Sequence, residues 1–264
     1  MSERTGIEWT DSTWNPWRGC QKVSAGCAHC YMYREQTRYG RDPRAIVRAA
    51  PATFGAPLRW RGPRRVFTCS WSDFFIEEAD PWRPEAWEII RRTPSLTYLV
   101  LTKRPERIRS SLPPDWGEGY PNVWLGVSAE YLSLLAERKP LLFSVPAARR
   151  FLSAEPWLQA NPWLGSSPIE QDLEVYVRAI FGFDWVIVGG ESGPQARPMS
   201  LGSVRFVKAA CEALSIPFFL KQLGGWPDPR SHEQALLDGR TWKGLPEFEQ
   251  RKGGFGATLE PEPA

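Results

Sequence analysis

Cys20, Cys27 and Cys30 fall within eleven residues in the run Gly19-Cys20-Gln21-Lys22-Val23-Ser24-Ala25-Gly26-Cys27-Ala28-His29-Cys30-Tyr31, a C-x6-C-x2-C spacing. Three thiolates on one short loop can hold three irons of a cubane 4Fe-4S cluster, leaving the fourth iron open to a substrate or cofactor. The rival chemistry is a structural zinc, with the same sulfurs completed by His29, His232 or Cys69. His29 is wedged between two of the ligands, His232 lies in the C-terminal tail, and no second C-x2-C supplies the separated pairs usual for zinc. Five cysteines is an odd count, which argues against a disulfide framework and for metal binding or catalysis. Cys69 and Cys211 each stand beside apolar residues and read as buried small hydrophobes.

Other residues could bind rather than react. Gly189-Gly190-Glu191-Ser192-Gly193-Pro194 is a glycine-rich turn after an apolar run. Its backbone N–H groups can approach a ligand closely and Glu191 could meet a ribose hydroxyl or an amino group, although such turns are common after strands. Arg197 could pair with a carboxylate or phosphate, or bridge to Glu191. Nine arginines (Arg34, Arg38, Arg41, Arg44, Arg48, Arg59, Arg61, Arg64, Arg65) stand against two acids, Glu35 and Asp42, in one stretch. That patch could track the phosphates of a nucleic acid, or be the solvated face of a helix and loop. A net charge of +3 does not by itself call for a nucleic-acid partner. The 14 tryptophans are either platforms for flat ligands or core filling.

These residues need elements to bring them together. Runs of strand length with β-branched and aromatic residues occur at Arg65 to Ser70, Thr97 to Thr102, Asn122 to Ser128, Arg150 to Glu155, Trp185 to Gly190 and Pro217 to Lys221, with a further strand expected near Ile7 to Trp14. Their hydrophobicity is continuous rather than alternating, as in strands covered on both faces. Helical spacing fills the intervals at Pro84 to Arg92, Pro105 to Ser111, Tyr131 to Arg138 and Ser203 to Leu214. Strand and helix alternate, so the fold class is α/β with a parallel sheet. Six or seven such units favour a partial or complete TIM-like barrel over a doubly wound sheet. In a barrel the strand ends converge, which gathers Ser70, Asp73, Thr102, Lys103, Ser128, Glu130, Glu155, Glu191, Ser192, Lys221 and Gln222 at one rim with the cysteine loop.

The domain expected from this pattern is a barrel over residues 1–225, followed by a tail over residues 226–264 packed on it and disordered at its end, Gly253 to Ala264. The long connection from Pro156 to Asp184 is expected to carry an inserted lid. The opening residues Met1 to Asp11 are polar, and no apolar run approaches the length of a membrane span, so a cytoplasmic protein without membrane contact is expected.

The cysteine run, together with Ser70-Trp71-Ser72-Asp73, Leu101-Thr102-Lys103-Arg104-Pro105, Trp124-Leu125-Gly126-Val127-Ser128, Leu152-Ser153-Ala154-Glu155-Pro156 and Gly189-Gly190-Glu191-Ser192-Gly193, resembles a phage and prophage three-Cys-motif family that is itself similar to radical S-adenosylmethionine (SAM) enzymes. The resemblance runs in order from about Gly6 to Gly225. It implies a partial TIM-like barrel with a 4Fe-4S cluster on Cys20, Cys27 and Cys30, the open iron chelating SAM. An electron from an outside reductant would then release a 5'-deoxyadenosyl radical. The same resemblance implies that His29 packs on adenine, that the turn around Gly189, Gly190 and Glu191 borders adenine, that Ser70 and Asp73 meet the SAM amino group, and that Ser128 and Glu155 contact ribose or carboxylate. It departs from the usual C-x3-C-x2-C spacing by three residues, for which Gly26 is expected to supply a turn, and from the usual glycine-glycine-glutamate after the second strand. The implied partners are a nucleic-acid or nucleotide substrate, or alternatively a protein or small molecule with a phage-encoded partner protein. The remaining alternative is a non-enzymatic nucleic-acid-binding protein whose zinc staples the loop.

Overall fold

In the computed structural model, which describes residues 3–160 and 169–247, the apolar runs become one parallel sheet. Its strands are β1 (Ser12–Thr13), β2 (Arg64–Thr68), β3 (Leu96–Thr102), β4 (Val123–Ser128), β5 (Arg149–Ala154), β6 (Trp185–Gly189) and β7 (Phe218–Gln222). Each strand pairs parallel with the next in the chain. Because the order never reverses, there is no switch point and the doubly wound alternative falls away; every crossover steps the same way and the sheet curls into a half-barrel of seven strands.

The helices are α1 (Tyr31–Arg38), α2 (Arg83–Arg92), α3 (Leu132–Phe143), α4 (Ile169–Ile180) and α5 (Leu201–Ala213), with a short helical turn at Ile108–Ser111. Proline in the first turn starts α2, and Ser200 caps α5 by accepting from the Ser203 N–H. All strand bounds but the first lie close to those expected, while the helix expected over Tyr131 to Arg138 runs on to Phe143 and the one expected over Pro105 to Ser111 is a 3-10 turn followed by a single α turn. The expected first strand, Ile7 to Trp14, shrinks to two residues because the chain turns at Ile7 to Thr10 and carries Trp9 inward onto Phe67, ring centroids 4.6 Å apart. In the interval expected to hold a lid stands α4; residues 161–168 of that interval lie outside the described residues.

Two packed layers follow from the two-residue period of the strands. Outward side chains such as Val66, Val100, Leu125, Leu152, Val188 and Leu220 join the helices in the main core. Inward side chains Phe67, Leu99, Trp124, Phe151, Trp185 and Phe219, with Trp9 and Ile187, form a separate aromatic plug inside the barrel. Gly126 is small because the Phe151 ring lies across it; a Cβ there would sit 2.4 Å from that ring. One or two inward positions further along each strand the chemistry turns polar, at Lys103, Ser128, Ser153, Glu155, Glu191 and Lys221. The plug therefore forms the base on which the rim residues stand.

Past Trp226 the chain returns along the free edge of β7: Lys243 pairs with Phe219, the Leu220 N–H donates to the Trp242 carbonyl at 2.8 Å, and the Trp185 indole N–H donates to the Gly244 carbonyl at 2.9 Å. An edge left open would offer unpaired backbone groups to other chains. The segment Gly253 to Ala264 lies outside the described residues.

Candidate functional site

After β1 the chain crosses the rim on two buried indoles. Trp14 donates to the Phe54 carbonyl at 3.0 Å and Trp17 to the Asp73 carbonyl at 3.0 Å, while Trp17–Arg18 pairs antiparallel with Val47–Arg48. Gly19 then reverses direction at φ +90°, where a Cβ would lie 2.1 Å from the Ala45 carbonyl oxygen. The Cys20 N–H donates to the Pro43 carbonyl, a 3-10 turn covers Ala25–Cys27, and Cys30 stands immediately before α1. Gly26 acts differently from the turn expected of it. Its φ is not in the left-handed region; instead a Cβ would run into Glu130, 2.2 Å from Oε1, so glycine is required by close approach.

Glu130 is the anchor of this loop. Fully buried, it accepts from the Ser24 hydroxyl at 2.7 Å and from the Lys103 ammonium through Oε1, and pairs with Arg138 at 3.4 Å through Oε2. Burial pushes its carboxyl up, but the Lys103 charge, the hydrogen bonds from Lys103 and Ser24 and the Arg138 charge outweigh that and hold it below the ordinary 4.5. The sequence shows Glu130 as one more carboxylate at a strand end; only the glycine at position 26 hints at what packs on it.

The result is a cavity of ≈ 330 Å³ at the C-terminal rim of the sheet. Cys20, Cys27, Cys30 and His29 line it from the loop, and Ser70, Asp73, Ser128, Glu155, Gly190 and Glu191 line it from the strand ends. Gly189 does not line it. A Cβ at Gly189 would be 2.3 Å from Glu155 Oε1, so its role is to let the Glu155 side chain pass over β6 to Lys221 on β7, where the two charges lie 3.0 Å apart. Asp73 accepts from the Thr102 hydroxyl at 2.7 Å and from the N–H groups of Lys103 and Phe75 at 2.9 Å each, and pairs with Arg104 at 3.3 Å. Ser70 exchanges hydrogen bonds with Asn15 and its carbonyl accepts from the Tyr31 hydroxyl at 2.6 Å. Glu191 is gripped by Arg197, which therefore bridges to it rather than standing free.

The thiols sit among cations. Arg104 is buried, donates to Cys20 Sγ at 3.7 Å and to the Gln21 carbonyl at 2.8 Å. Burial and the Asp73 charge push the Cys20 thiol up to about 12, with Arg104 opposing them. For Cys27, burial is outweighed by the Lys103 charge and by hydrogen bonds from Val23 and Ser24, so its thiol lies below the ordinary value; burial leads at Cys30 and raises it. Cys69 is the buried small hydrophobe expected, packed on the outer core, and it also lines the cavity. Cys211 is buried away from it in α5.

Of the zinc candidates, His232 is tied to Glu8 at 3.3 Å and does not line the cavity. Among the described residues no three His, Cys, Asp or Glu side chains are arranged around a single ion position. Of the nine arginines in the stretch, Arg59 donates to the Ala52 carbonyl at 2.7 Å and Arg61 is exposed; the other seven divide in two. Arg48, Arg64 and Arg65 pair with Glu85, Glu3 and Asp11 and belong to the scaffold. Arg34, Arg38, Arg41 and Arg44 are exposed on α1 and the loop after it, beside the cysteine loop, and Arg34 reaches the Ser192 carbonyl on the cavity rim at 3.4 Å.

A family model described as "Protein of unknown function (DUF5131)" matches residues 4–246. No curated protein matches the chain. Among solved structures it is similar to a point variant of spore photoproduct lyase, at 12% identity over 77% of this chain and 74% of that one with a TM-score of 0.48. It is also similar to spore photoproduct lyase complexed with dinucleoside spore photoproduct, at 12% identity over 76% and 60% of the two chains with a TM-score of 0.42. Among the described residues no helix is long and apolar enough to cross a membrane.

Proposed function

Starting from a chain that belongs to the DUF5131 family, we propose that it is a 4Fe-4S, SAM-dependent radical enzyme acting on a nucleic acid or nucleotide. The observation that carries this reading is that all three cysteines of the C-x6-C-x2-C run face one cavity at the C-terminal rim of a parallel half-barrel. The donor set suits the group. Three unbridged thiols form a soft set, and Arg104 and Lys103 offset the negative charge that thiolates bring into a partly buried place. Cys20, Cys27 and Cys30 would hold such a cluster, which would supply one-electron reductive cleavage of SAM, the electron coming from an external reductant.

The chain's own residues then have distinct tasks. Arg104 and Glu130 hold the start and the middle of the cysteine loop, Arg104 through Cys20 and Gln21 and Glu130 through Ser24. Asp73 positions Arg104 rather than meeting a ligand, since its oxygens already accept three hydrogen bonds and face that guanidinium. His29, Gly190 and the ionised Glu191 border an adenosine group, with the hydroxyls of Ser70 and Ser128 as its further polar neighbours. The plug below excludes water from the reacting end.

The test is anaerobic loading with iron and sulfide. About four irons per chain are expected, lost on Cys20→Ala, Cys27→Ala or Cys30→Ala, and 5'-deoxyadenosine should form from SAM and dithionite. One equivalent of zinc in anaerobically purified protein, with no iron uptake, would overturn the reading in favour of a stapled binding protein.

A further inference from the structure

The cavity is also lined by residues that the cysteine loop does not supply. Its base is apolar: Phe67 and Leu101 border it, and Trp9, inclined at 56° to Phe67 and only 1% exposed, packs beneath as part of the aromatic plug. Its far wall, on β5 and β7, is polar: the Lys221 ammonium and the Glu155 carboxylate lie 3.0 Å apart, and the Ser153 hydroxyl donates to Glu155 Oε2 at 3.2 Å. A paired donor and acceptor at the side of an apolar floor is the arrangement that reads the hydrogen-bonding edge of a flat heteroaromatic ring while its face rests on side chains. Gly189 shows that the pair is built in, since any side chain there would displace Glu155. At the mouth, the Arg34 guanidinium reaches the Ser192 carbonyl, and Arg38, Arg41 and Arg44 are exposed further along α1 and the loop after it, a run of cations that a phosphodiester chain could follow.

We infer that this part of the cavity receives a single nucleobase of a single-stranded nucleic acid, seated against Phe67 and Leu101 and read by Lys221 and Glu155, with the flanking phosphates on the Arg34 to Arg44 side. The inference names the substrate for the function proposed above and rests on that reading only for what happens once the base is seated. Base–aromatic stacking is worth roughly 1–3 kcal/mol per base, and about tenfold in affinity corresponds to 1.4 kcal/mol. Removing the bases from a bound strand should therefore weaken it by about tenfold or more.

The experiment measures binding by the full chain, before and after anaerobic loading with iron and sulfide. The probes are a short oligothymidylate, an oligouridylate, the free mononucleotides and a base-free deoxyribose-phosphate strand of equal length. The wild type should prefer the base-bearing strands about tenfold over the base-free one. Lys221→Met and Phe67→Leu should abolish that preference, with Lys221→Met leaving the fold intact if Phe67→Leu does not. Joint charge reversal of Arg38, Arg41 and Arg44 should weaken all strands alike and lower the salt slope, by about 2 for three phosphate contacts on a single strand. Equal binding of base-bearing and base-free strands overturns the inference. So does loss of SAM affinity in Lys221→Met with the base preference kept, which would give the floor to the cofactor, or binding of mononucleotides as tight as that of strands. Iron content separates the two readings: a base preference without cluster uptake removes the radical chemistry alone, and a normal cluster without base preference removes this inference alone.

Discussion

Replacing Glu130 by Gln is the sharpest test of how the cysteine loop is held. The substitution keeps the shape of the side chain and removes its charge, leaving Lys103 and Arg138 partly buried without their shared counter-ion. Breaking a buried pair from one side costs about 3–5 kcal/mol; Lys103 keeps some access to water, with 18% of its side chain exposed, so the lower end applies. A loss of about 3 kcal/mol lowers the melting temperature of a chain this size by roughly 6–12 °C. Ser24 keeps only a neutral acceptor, so the loop loosens and the iron-loaded chain should retain less metal through gel filtration. The pH dependence has a fixed sign. The carboxyl of Glu130 is held below its ordinary value of 4.5, so its stabilisation is complete above about pH 4.5 and is lost as pH falls through the lower folded value. Wild type and Glu130→Gln should therefore differ by a constant amount from pH 5 upward and converge in acid. Urea unfolding at several pH values, paired with iron analysis, reads both effects. Equal stability and equal iron retention at pH 7 would refute the anchoring role, and a stability gap that widened in acid would refute its electrostatic cause.

Two further outcomes follow from the same geometry. Arg104→Gln removes the partner of Asp73, Cys20 and Gln21 at once; Asp73 keeps its three other donors, so urea unfolding should show a loss of about 1.5–3 kcal/mol, with lower iron content, and Arg104→Lys should restore only part of it because an ammonium lacks the fork. Gly126→Ala drives a Cβ into the Phe151 ring inside the plug and should cost about 1–3 kcal/mol in thermal unfolding while leaving iron uptake unchanged; a neutral effect would show that the plug is loosely packed.

Much of this architecture could be read from the chain alone. The strands are legible because β-branched and aromatic residues run unbroken between helical intervals, and the rim is legible because each run ends on or just before a polar residue: Ser70, Thr102, Ser128, Glu155, Glu191 and Lys221. The cysteine loop lies at that rim because it follows β1, whose parallel pairing with β2 fixes which end it leaves from. What the sequence hides are pairings across long separations. Nothing local distinguishes Arg48, Arg64 and Arg65, which close onto Glu85, Glu3 and Asp11, from Arg38 and Arg44, which face solvent. The same holds for Glu130, whose partners come from the loop, from β3's end and from α3, and for Cys69, whose position beside the cavity depends on where β2 stops. Gly26 and Gly189 look like turn residues and are instead the gaps through which two carboxylates reach their partners.

Among the described residues, the stopper of rings closes the chamber from below and leaves its polar end at the finish of the strands. A guest lying on that stopper is therefore the deepest one, and a longer chain lying over the strand ends would cover it.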